Sequence, residues 1–216
     1  MTRLNAITLE GVLPEVFRGT NPDSEIWLSQ ITFTRGEHYL IHAESGTGKS
    51  SLCSYIYGNR NDYSGKITFD NTDIRSFSID RWCELRQRSI ALLPQEMRLF
   101  PELSVMENID IKNRLTRHKS EAEIMEMLTR LEIDGKADER VARLSIGQQQ
   151  RVAIIRTLCQ PFDFLLLDEP VSHLDQRNNT IAASLIMEET AKQGAAIIAT
   201  SVGNDLKIDS TRRIRL

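Results

Sequence analysis

The sequence contains little cysteine, proline or glycine, with 3 Cys, 6 Pro and 11 Gly among 216 residues. These low counts exclude a disulfide scaffold, a collagen-like repeat and a disordered chain rich in Gly and Pro. The cysteines, Cys53, Cys83 and Cys159, are odd in number and form no CxxC pair. Neither a disulfide framework nor a zinc site is therefore expected.

Long apolar runs are also absent from the sequence, and neither sign of charge dominates. The longest apolar runs, residues 164–167 and 195–199, are far shorter than the ~18 residues that a membrane-spanning helix needs. The N-terminal residues turn polar too early for a secretory signal peptide. With 27 Lys and Arg against 30 Asp and Glu, the net charge is −3, which does not suggest a basic face for nucleic acid. We expect a cytoplasmic protein without a nucleic-acid partner that reaches a membrane only through another subunit.

Strand and helix patterns alternate along most of the chain. Apolar runs predict strands at residues 26–33, 38–42, 66–69, 90–93, 164–167 and 195–200. Helices are predicted at about 49–57, 148–160 and 176–192. Strands that are apolar on both faces favour a mainly parallel α/β sheet. From about 103 to 142, charges recur at helical spacing, so we predict one domain, 1–216, with an inserted helical subdomain at about 96–145.

The first candidate motif is a glycine-bearing loop between a predicted strand and a predicted helix. Glycine reaches the positive φ angles that turn backbone N–H groups toward a phosphate, and the helix N-terminus adds partial positive charge. Lys49 can reach the β- and γ-phosphates, and the Ser50 hydroxyl can ligate Mg²⁺. Ala43 stands where such loops usually begin with glycine, so it must keep a negative φ; a plain glycine turn capping a helix is the alternative. The predicted nucleotide contacts are Ser45, Gly46, Thr47, Gly48, Lys49, Ser50 and Ser51.

Two carboxylates follow the apolar run at residues 164–167. Asp168 and Glu169 would lie at the carboxyl end of a buried strand, where α/β proteins bind ligands. There Asp168 can hold Mg²⁺ through water, and Glu169 can polarise an attacking water. A solvated acidic turn is the alternative. Downstream of a phosphate loop, the catalytic interpretation is favoured.

A second helix N-terminus precedes these carboxylates in the sequence. Ser145 is a predicted helix N-cap and Gln148 stands at the third helical position, which together form a capping box. A plain helix start accounts for both residues. In addition, a second helix N-terminus with partial positive charge lies before the carboxylate pair, and such a helix end would attract a γ-phosphate.

In order and spacing, these motifs resemble the nucleotide-binding domain of ATP-binding cassette (ABC) proteins over essentially the whole chain. Residues 145–148, which include Gly147, resemble the LSGGQ signature of that family, with Ile146 replacing one glycine. Residues 93–95 resemble its Q-loop, which makes Gln95 a contact to Mg²⁺ or to the attacking water. Residues 172–175 resemble its D-loop, with Asp175 at the matching aspartate and therefore among the nucleotide-binding residues.

The resemblance implies a fold, a mechanism and partners. The fold would be a P-loop NTPase with a RecA-like, mainly parallel sheet core, a small N-terminal antiparallel β subdomain and an inserted α-helical subdomain. Two copies, or two related subunits, would form a head-to-tail dimer that sandwiches MgATP between the phosphate loop of one and Ser145, Gly147 and Gln148 of the other. ATP would drive closure and hydrolysis would release it. A membrane permease would contact roughly residues 96–113, near the Q-loop.

Two features depart from the family pattern. Ser201 stands where the family has a switch histidine, and a serine is shorter and uncharged, which predicts slow hydrolysis with near-normal ATP binding. The aromatic residue that stacks on adenine is less evident. Phe17 is the candidate, with a place in the core as the alternative, and Trp27 is expected in the core.

The leading hypothesis is an energy-coupling ATPase subunit of a membrane transporter. The alternative is an ATP-dependent clamp or regulatory module that binds nucleotide without useful catalysis. Glu169 favours the enzyme, because a module without catalysis has no need of a carboxylate there, whereas the missing histidine favours the module. A cytosolic ABC protein of DNA repair or translation is disfavoured, because such proteins usually carry paired cassettes, coiled coils or zinc insertions.

Overall fold

The computed structural model describes residues 3–208 and 211–216. Its strands are β1 (Ala6–Pro14), β2 (Gln30–Thr34), β3 (His38–His42), β4 (Tyr63–Phe69), β5 (Thr72–Asp73), β6 (Ile90–Leu93), β7 (Phe164–Asp168), β8 (Ala196–Ser201) and β9 (Thr211–Arg215). Its helices are α1 (Lys49–Ile56), α2 (Ile79–Arg88), α3 (Val105–Asn113), α4 (Glu121–Arg130), α5 (Ile146–Leu158) and α6 (Gln176–Gln193). Across those two ranges, none of the helices combines the length and the apolar character that crossing a bilayer requires.

A parallel sheet with the strand order β6-β7-β8-β3-β9 forms the centre of the fold. Strand β3 pairs in parallel with β8 and β9, so that His42 lies beside Ser201 on one side and Arg215 on the other. The carboxyl ends of parallel strands meet at one edge of the sheet, where ligands of α/β proteins bind. The phosphate loop, which follows β3, and Asp168, which ends β7, are therefore at the same edge.

An antiparallel sheet with the order β2-β1-β4-β5 covers one side of the molecule. The predicted fold class, a P-loop NTPase with a mainly parallel core and a small antiparallel N-terminal unit, is confirmed. The strand predicted at 26–33 is wrong at its start, because β2 begins only at Gln30. Ile26 and Trp27 lie in a turn, where the Ser24 hydroxyl accepts hydrogen bonds from both of their N–H groups at 3.0 and 2.9 Å.

Side chains of the parallel sheet alternate between two hydrophobic cores. Leu165 and Leu167 of β7 pack with α3 to α6 on one face, whereas Phe164 and Leu166 pack with α1 and the antiparallel sheet on the other. Successive residues of a strand point to opposite faces. Asp168 therefore lies on the face that α1 covers, the face on which the phosphate loop enters its helix.

The chain between β6 and α5 contributes α3 and α4. Helix α3 packs on α5, and α4 packs on α5 and α6. A buried ion pair attaches this region to the core, because Lys119 Nζ lies 2.6 Å from Glu189 Oε2 with side chains only 7% and 3% exposed. The division of the chain into a core and a helical subdomain at about 96–145 stays a prediction.

Lys119→Met should lower the free energy of unfolding by about 3 kcal/mol, because the buried Glu189 carboxylate then has, among the described residues, only the exposed Lys192 ammonium as partner. Urea denaturation followed by circular dichroism measures this change. The double variant Lys119→Met/Glu189→Leu should regain most of the lost stability, since neither charge of this pair then remains buried without its partner. A loss in the double variant as large as in the single one would contradict this account.

Candidate nucleotide-binding site

The phosphate loop joins the end of β3 to the start of α1. Gly46 and Gly48 have φ angles of 85° and 98°, whereas Ala43 has no positive φ, so its β-carbon is tolerated. Gly48 is the N-cap of α1. A side chain at Gly48 would be strained by its φ and would lie 3.2 Å from ring atoms of Phe17 and Trp27. The loop thus has the glycine-dependent backbone that phosphate binding requires.

Two aromatic side chains lie against this loop. Trp27 is 2% exposed, and its indole Nε1 donates a hydrogen bond to the Thr47 carbonyl at 3.0 Å. Trp27 lies in the core, as expected from the sequence. Its hydrogen bond to the phosphate loop was not predicted. Phe17 ends a 3₁₀ turn and is half-buried, with its ring edge beside Gly48. Stacking of Phe17 on adenine stays a prediction.

Lys49 begins α1 and is only 6% exposed. Its Nζ donates to the Glu44 carbonyl at 3.0 Å and lies 3.6 Å from Glu169 Oε1. The ammonium group therefore lies over the loop. On the same helix Ser50 is exposed, and the Ser51 hydroxyl accepts a hydrogen bond from Arg60 Nη1 at 3.0 Å.

Asp168 is held by a threonine that sequence reasoning did not single out. Thr200 of β8 lies beside Asp168 in the strand register, and its hydroxyl donates to Asp168 Oδ1 at 2.8 Å. Both side chains are buried. A neighbour of this kind fixes the orientation of a ligating carboxylate.

Glu169 brings the three predicted catalytic residues together. Its carboxylate lies 3.6 Å from Lys49 Nζ and accepts a hydrogen bond from Gln95 Nε2 at 3.3 Å. Glu169 has a φ of 51°, in the left-handed region that residues other than glycine rarely adopt. Its N–H donates to the Thr200 carbonyl at 3.2 Å. Unusual backbone of this kind concentrates at functional sites.

The signature segment lies at the N-terminus of α5 and forms the predicted capping box. The Ser145 hydroxyl accepts from the Gln148 N–H at 3.3 Å, and Gln148 Oε1 accepts from the Ser145 N–H at 2.9 Å. Ser145 and Ile146 are exposed, and a β-carbon at Gly147 would lie 3.0 Å from the His173 carbonyl oxygen. Among the residues that the structure describes, no hydrogen bond or ion pair joins this segment to the phosphate loop of its own chain.

A buried glutamine connects the signature helix to Glu169. Gln150 is 2% exposed; its Nε2 donates to the Glu169 carbonyl at 3.2 Å, and its Oε1 accepts from the His173 N–H at 2.9 Å. Sequence reasoning missed this link. A polar residue beside the apolar run of α5 was an available signal, because buried polar groups need partners.

Asp175 is the N-cap of α6. Its Oδ1 accepts from the Asn178 N–H at 2.8 Å, and its Oδ2 accepts from the Asn178 side chain at 2.9 Å. These hydrogen bonds, the backbone one first, hold the pKa of Asp175 below its ordinary value. Asp175 thus has a structural role in this chain, and its contact with nucleotide stays a prediction.

The residues at the edge of the sheet fit MgATP. The Ser50 hydroxyl, the Asp168 carboxylate and the Gln95 amide are oxygen donors of the kind that Mg²⁺ prefers. Asp168 ends β7, and Gln95 lies in the segment that follows β6, the strand paired with β7. Lys49 and the N-terminus of α1 supply positive charge for phosphates.

A glycine loop between a parallel strand and a helix, with an acidic pair at the end of a nearby strand, defines a P-loop nucleotide-binding ATPase. A family model described as ABC transporter matches residues 29–172. The chain belongs to the ABC transporter family.

Two curated relatives and a solved structure show the extent of the likeness. LolD, the ATP-binding protein of a lipoprotein-releasing system in Buchnera aphidicola, is 31% identical over 174 residues, which cover 79% of this chain and 76% of LolD. YbbA of Escherichia coli K12, an uncharacterized ABC transporter ATP-binding protein, is 27% identical over 216 residues, covering 98% and 94%. The dimeric structure of MJ0796, a bacterial ABC transporter cassette, matches with a TM-score of 0.80 at 23% identity, over 97% of this chain and 94% of that chain. This last likeness shows a shared fold.

Thr200→Val should raise the Mg²⁺ concentration needed for half-maximal ATP binding about tenfold, because the Asp168 carboxylate loses the hydroxyl that orients it. Titration of Mg²⁺ against a fluorescent ATP analogue measures this. Thr190→Val is the matched control, since Thr190 is equally buried but donates to the Ile186 carbonyl at 2.7 Å, within α6. Equal Mg²⁺ requirements in the two variants would show that the Thr200 hydroxyl does not orient Asp168 for Mg²⁺ binding.

Proposed function

We propose that this chain binds MgATP and hydrolyses it slowly as the energy-coupling subunit of a membrane transporter. The observation that supports this most strongly is the meeting of Lys49, Gln95 and Glu169 beside the phosphate loop, at 3.6 and 3.3 Å. These residues come from α1, from the segment after β6 and from the end of β7. Three such groups placed together by separate elements suit phosphoryl transfer, in which catalysis is mostly positioning and charge stabilisation.

ATP binding would exchange the internal contacts of Lys49 for contacts with phosphate. Its ammonium, now at the Glu44 carbonyl and near Glu169, would turn to the β- and γ-phosphates. Backbone N–H groups of the loop and the N-terminus of α1 would bind the phosphate oxygens. Ser50, Asp168 and Gln95 would hold Mg²⁺, which supplies charge neutralisation of the phosphates when bound.

Once Lys49 turns to the phosphates, the Glu169 carboxylate is available to accept a hydrogen bond from the attacking water. Its place is fixed from the backbone side, because its N–H is bonded to Thr200 and its carbonyl to Gln150. Gln95 can then orient the same water or the ion. Glu169 is thus the residue on which turnover depends.

The exposed N-terminus of α5 supports a head-to-tail dimer. Ser145 and Gly147 form no bond with the phosphate loop of their own chain in the described ranges, and a helix N-terminus attracts anions. In a second copy, or a related subunit, they would face the γ-phosphate and complete the site. MJ0796, which has the same fold, was solved as a dimer.

A permease would hold this protein at the cytoplasmic face of a membrane. LolD is by name part of a lipoprotein-releasing system, and YbbA is named as part of an ABC transporter. Within the proposed contact region 96–113, Phe100 and Ile111 are 51% and 41% exposed. These apolar side chains suit a protein partner better than water.

A nucleotide-binding regulatory module is the second candidate function. Ser201 favours it, because the side chain at the switch position is 2% exposed and hydrogen-bonded to Asp205 at 2.5 Å. A hydroxyl so placed cannot contact a γ-phosphate as an imidazole does. The module would bind ATP and dimerise without turnover.

Glu169→Gln should abolish hydrolysis and trap a dimer in MgATP, because the amide keeps the size of the side chain but loses its charge. Size-exclusion chromatography with and without MgATP measures the dimer. The double variant Glu169→Gln/Lys49→Ala should stay monomeric, since it loses the contact with the β- and γ-phosphates. A Glu169→Gln protein that remains monomeric at saturating ATP would contradict the sandwich.

Turnover should be at least about tenfold slower than that of an ABC ATPase that carries the switch histidine and is assayed in parallel, with a similar KM for ATP, because serine lacks the reach and charge of histidine. Ser201→His should raise kcat. Steady-state phosphate release measures both values. Turnover equal to that of the histidine-bearing ATPase, together with an unchanged kcat in Ser201→His, would disprove this prediction.

A further inference from the structure

The hydroxyl at the switch position is bound to a carboxylate. Ser201 Oγ donates to Asp205 Oδ1 at 2.5 Å, a short hydrogen bond of the charge-assisted kind. Ser201 is 2% exposed and ends β8. Its side chain is therefore held in one orientation by the loop that follows its own strand.

Asp205 is in turn held by two further side chains. His42 Nδ1 lies 3.4 Å from Asp205 Oδ1, and Arg213 Nη1 donates to Asp205 Oδ2 at 3.2 Å. The same Arg213 nitrogen lies 2.8 Å from His42 Nε2. Because Arg213 can only donate, His42 Nε2 is the acceptor of this contact, and Nδ1 is the ring nitrogen nearer to Asp205. Arg213 thus bonds the carboxylate to which Ser201 donates, and His42 lies beside both of them.

This cluster lies beside the phosphate loop. His42 is the last residue of β3 before the loop, it pairs with Ser201 in the strand register, and the Ala43 N–H donates to the Ser201 carbonyl at 3.4 Å. Both side chains share a face, since Leu40 and Ala199, two residues earlier in each strand, belong to the same core. His42 and Ser201 also line a cavity of about 580 Å³ together with Thr47 of the loop.

The loop after β8 is also anchored to the segment that follows Glu169. The Asn204 side chain donates to the Val171 carbonyl at 2.8 Å, and the buried Asn179 side chain donates to the Asp205 carbonyl at 2.9 Å. The position of Asp205 is therefore defined by its backbone as well as by its carboxylate. Ser201 and Glu169 are parts of one connected arrangement.

The hydrogen-bond inventory of Ser201 decides what it can contact. A hydroxyl has one hydrogen, and here that hydrogen is given to Asp205. An ionised γ-phosphate offers only acceptors, so Ser201 has nothing to donate to it. A water molecule, by contrast, can donate to the remaining lone pairs of Ser201 Oγ, which a neighbouring carboxylate makes a stronger acceptor.

We propose that Ser201, Asp205 and His42 take the place of the missing switch histidine by orienting the attacking water. This inference rests on the proposed ATPase function. Ser201 Oγ accepts a hydrogen bond from the water that Glu169 polarises, and Asp205 holds the Ser201 hydroxyl in the accepting orientation. His42 is a positioning residue, because it acts only through Asp205. The water then has two acceptors, Glu169 and Ser201, and keeps one lone pair directed at the γ-phosphorus.

Steady-state kinetics of single and double variants test this arrangement. Ser201→Ala and Asp205→Ala should each lower kcat about tenfold with KM for ATP and ATP affinity unchanged, because the interaction acts on water and not on nucleotide. The double variant should lose no more than either single variant, since the two residues act as a unit. Glu188→Ala, which removes an exposed ion pair with Arg130 on the surface of α6, is the control and should keep the full kcat.

His42 distinguishes positioning from a merely structural role. His42→Leu should lower kcat as Asp205→Ala does, whereas His42→Asn, which keeps an N–H donor near the position of Nδ1, should regain most of it. Thermal melting of each variant checks that the fold is intact. An equal loss of kcat in His42→Leu and His42→Asn would show that His42 does not position Asp205.

Three results would overturn the inference: an unchanged kcat in Ser201→Ala or Asp205→Ala, losses that multiply in the double variant, or a wild-type protein that binds ATP and dimerises without any turnover. The last result leaves ATP binding and the dimer in place and favours the regulatory module. Absence of ATP binding by the wild-type protein would instead refute the proposed function itself.

Discussion

The exit of β3 from the parallel sheet is the constraint on which the site depends. His42, the last residue of that strand, is paired with β8 on one side and β9 on the other, so the backbone enters the phosphate loop from a fixed point. Gly46 and Gly48 then turn it with positive φ angles, and Lys49 opens α1. Backbone N–H groups placed by the fold need no side-chain ordering to bind a phosphate. Because β7 lies next to β8, Asp168 reaches the same edge of the sheet.

In this structure the site residues contact one another, and ATP binding would replace some of these contacts with contacts to phosphate and water. The Lys49 ammonium and the Glu169 carboxylate, which would later face phosphate and water, lie 3.6 Å apart, and Gln95 donates to the same carboxylate. A buried charge without a partner is costly, so each of these two groups offsets the cost of burying the other. Gln150 bonds the Glu169 carbonyl from α5. The helix whose N-terminus would meet a second copy is therefore directly connected to Glu169, which would give dimer closure a physical route to the proposed catalytic carboxylate.

The parts of this structure that were predictable from the sequence depend on residues that are neighbours in the chain. The glycine loop, the capping box at Ser145 and the buried strands β3 and β6 carry their signals within a few residues. The supports of the site join residues far apart, as with Thr200 and Asp168, Trp27 and Thr47, or Gln150 and Glu169. No local pattern specifies such pairs, because either partner would suit many positions.

The late start of β2 has a local cause, the turn that the Ser24 hydroxyl stabilises. A prediction based on runs of apolar residues does not detect such a turn. The strand β1 was missed because a register shift between Glu10 and Leu13 interrupts its alternation, and β9 was missed because Ile214 is its single apolar residue.

We propose that the triphosphate is bound from two sides, by the phosphate loop of one copy and by the signature helix of another. A crystal structure of Glu169→Gln with MgATP tests it most directly. We expect a γ-phosphate within about 3 Å of Lys49 Nζ and, at the same time, of the partner's Ser145 hydroxyl and the partner's Gly147 N–H. A nucleotide bound by one copy alone, with the N-terminus of α5 remote from any phosphate, would contradict it.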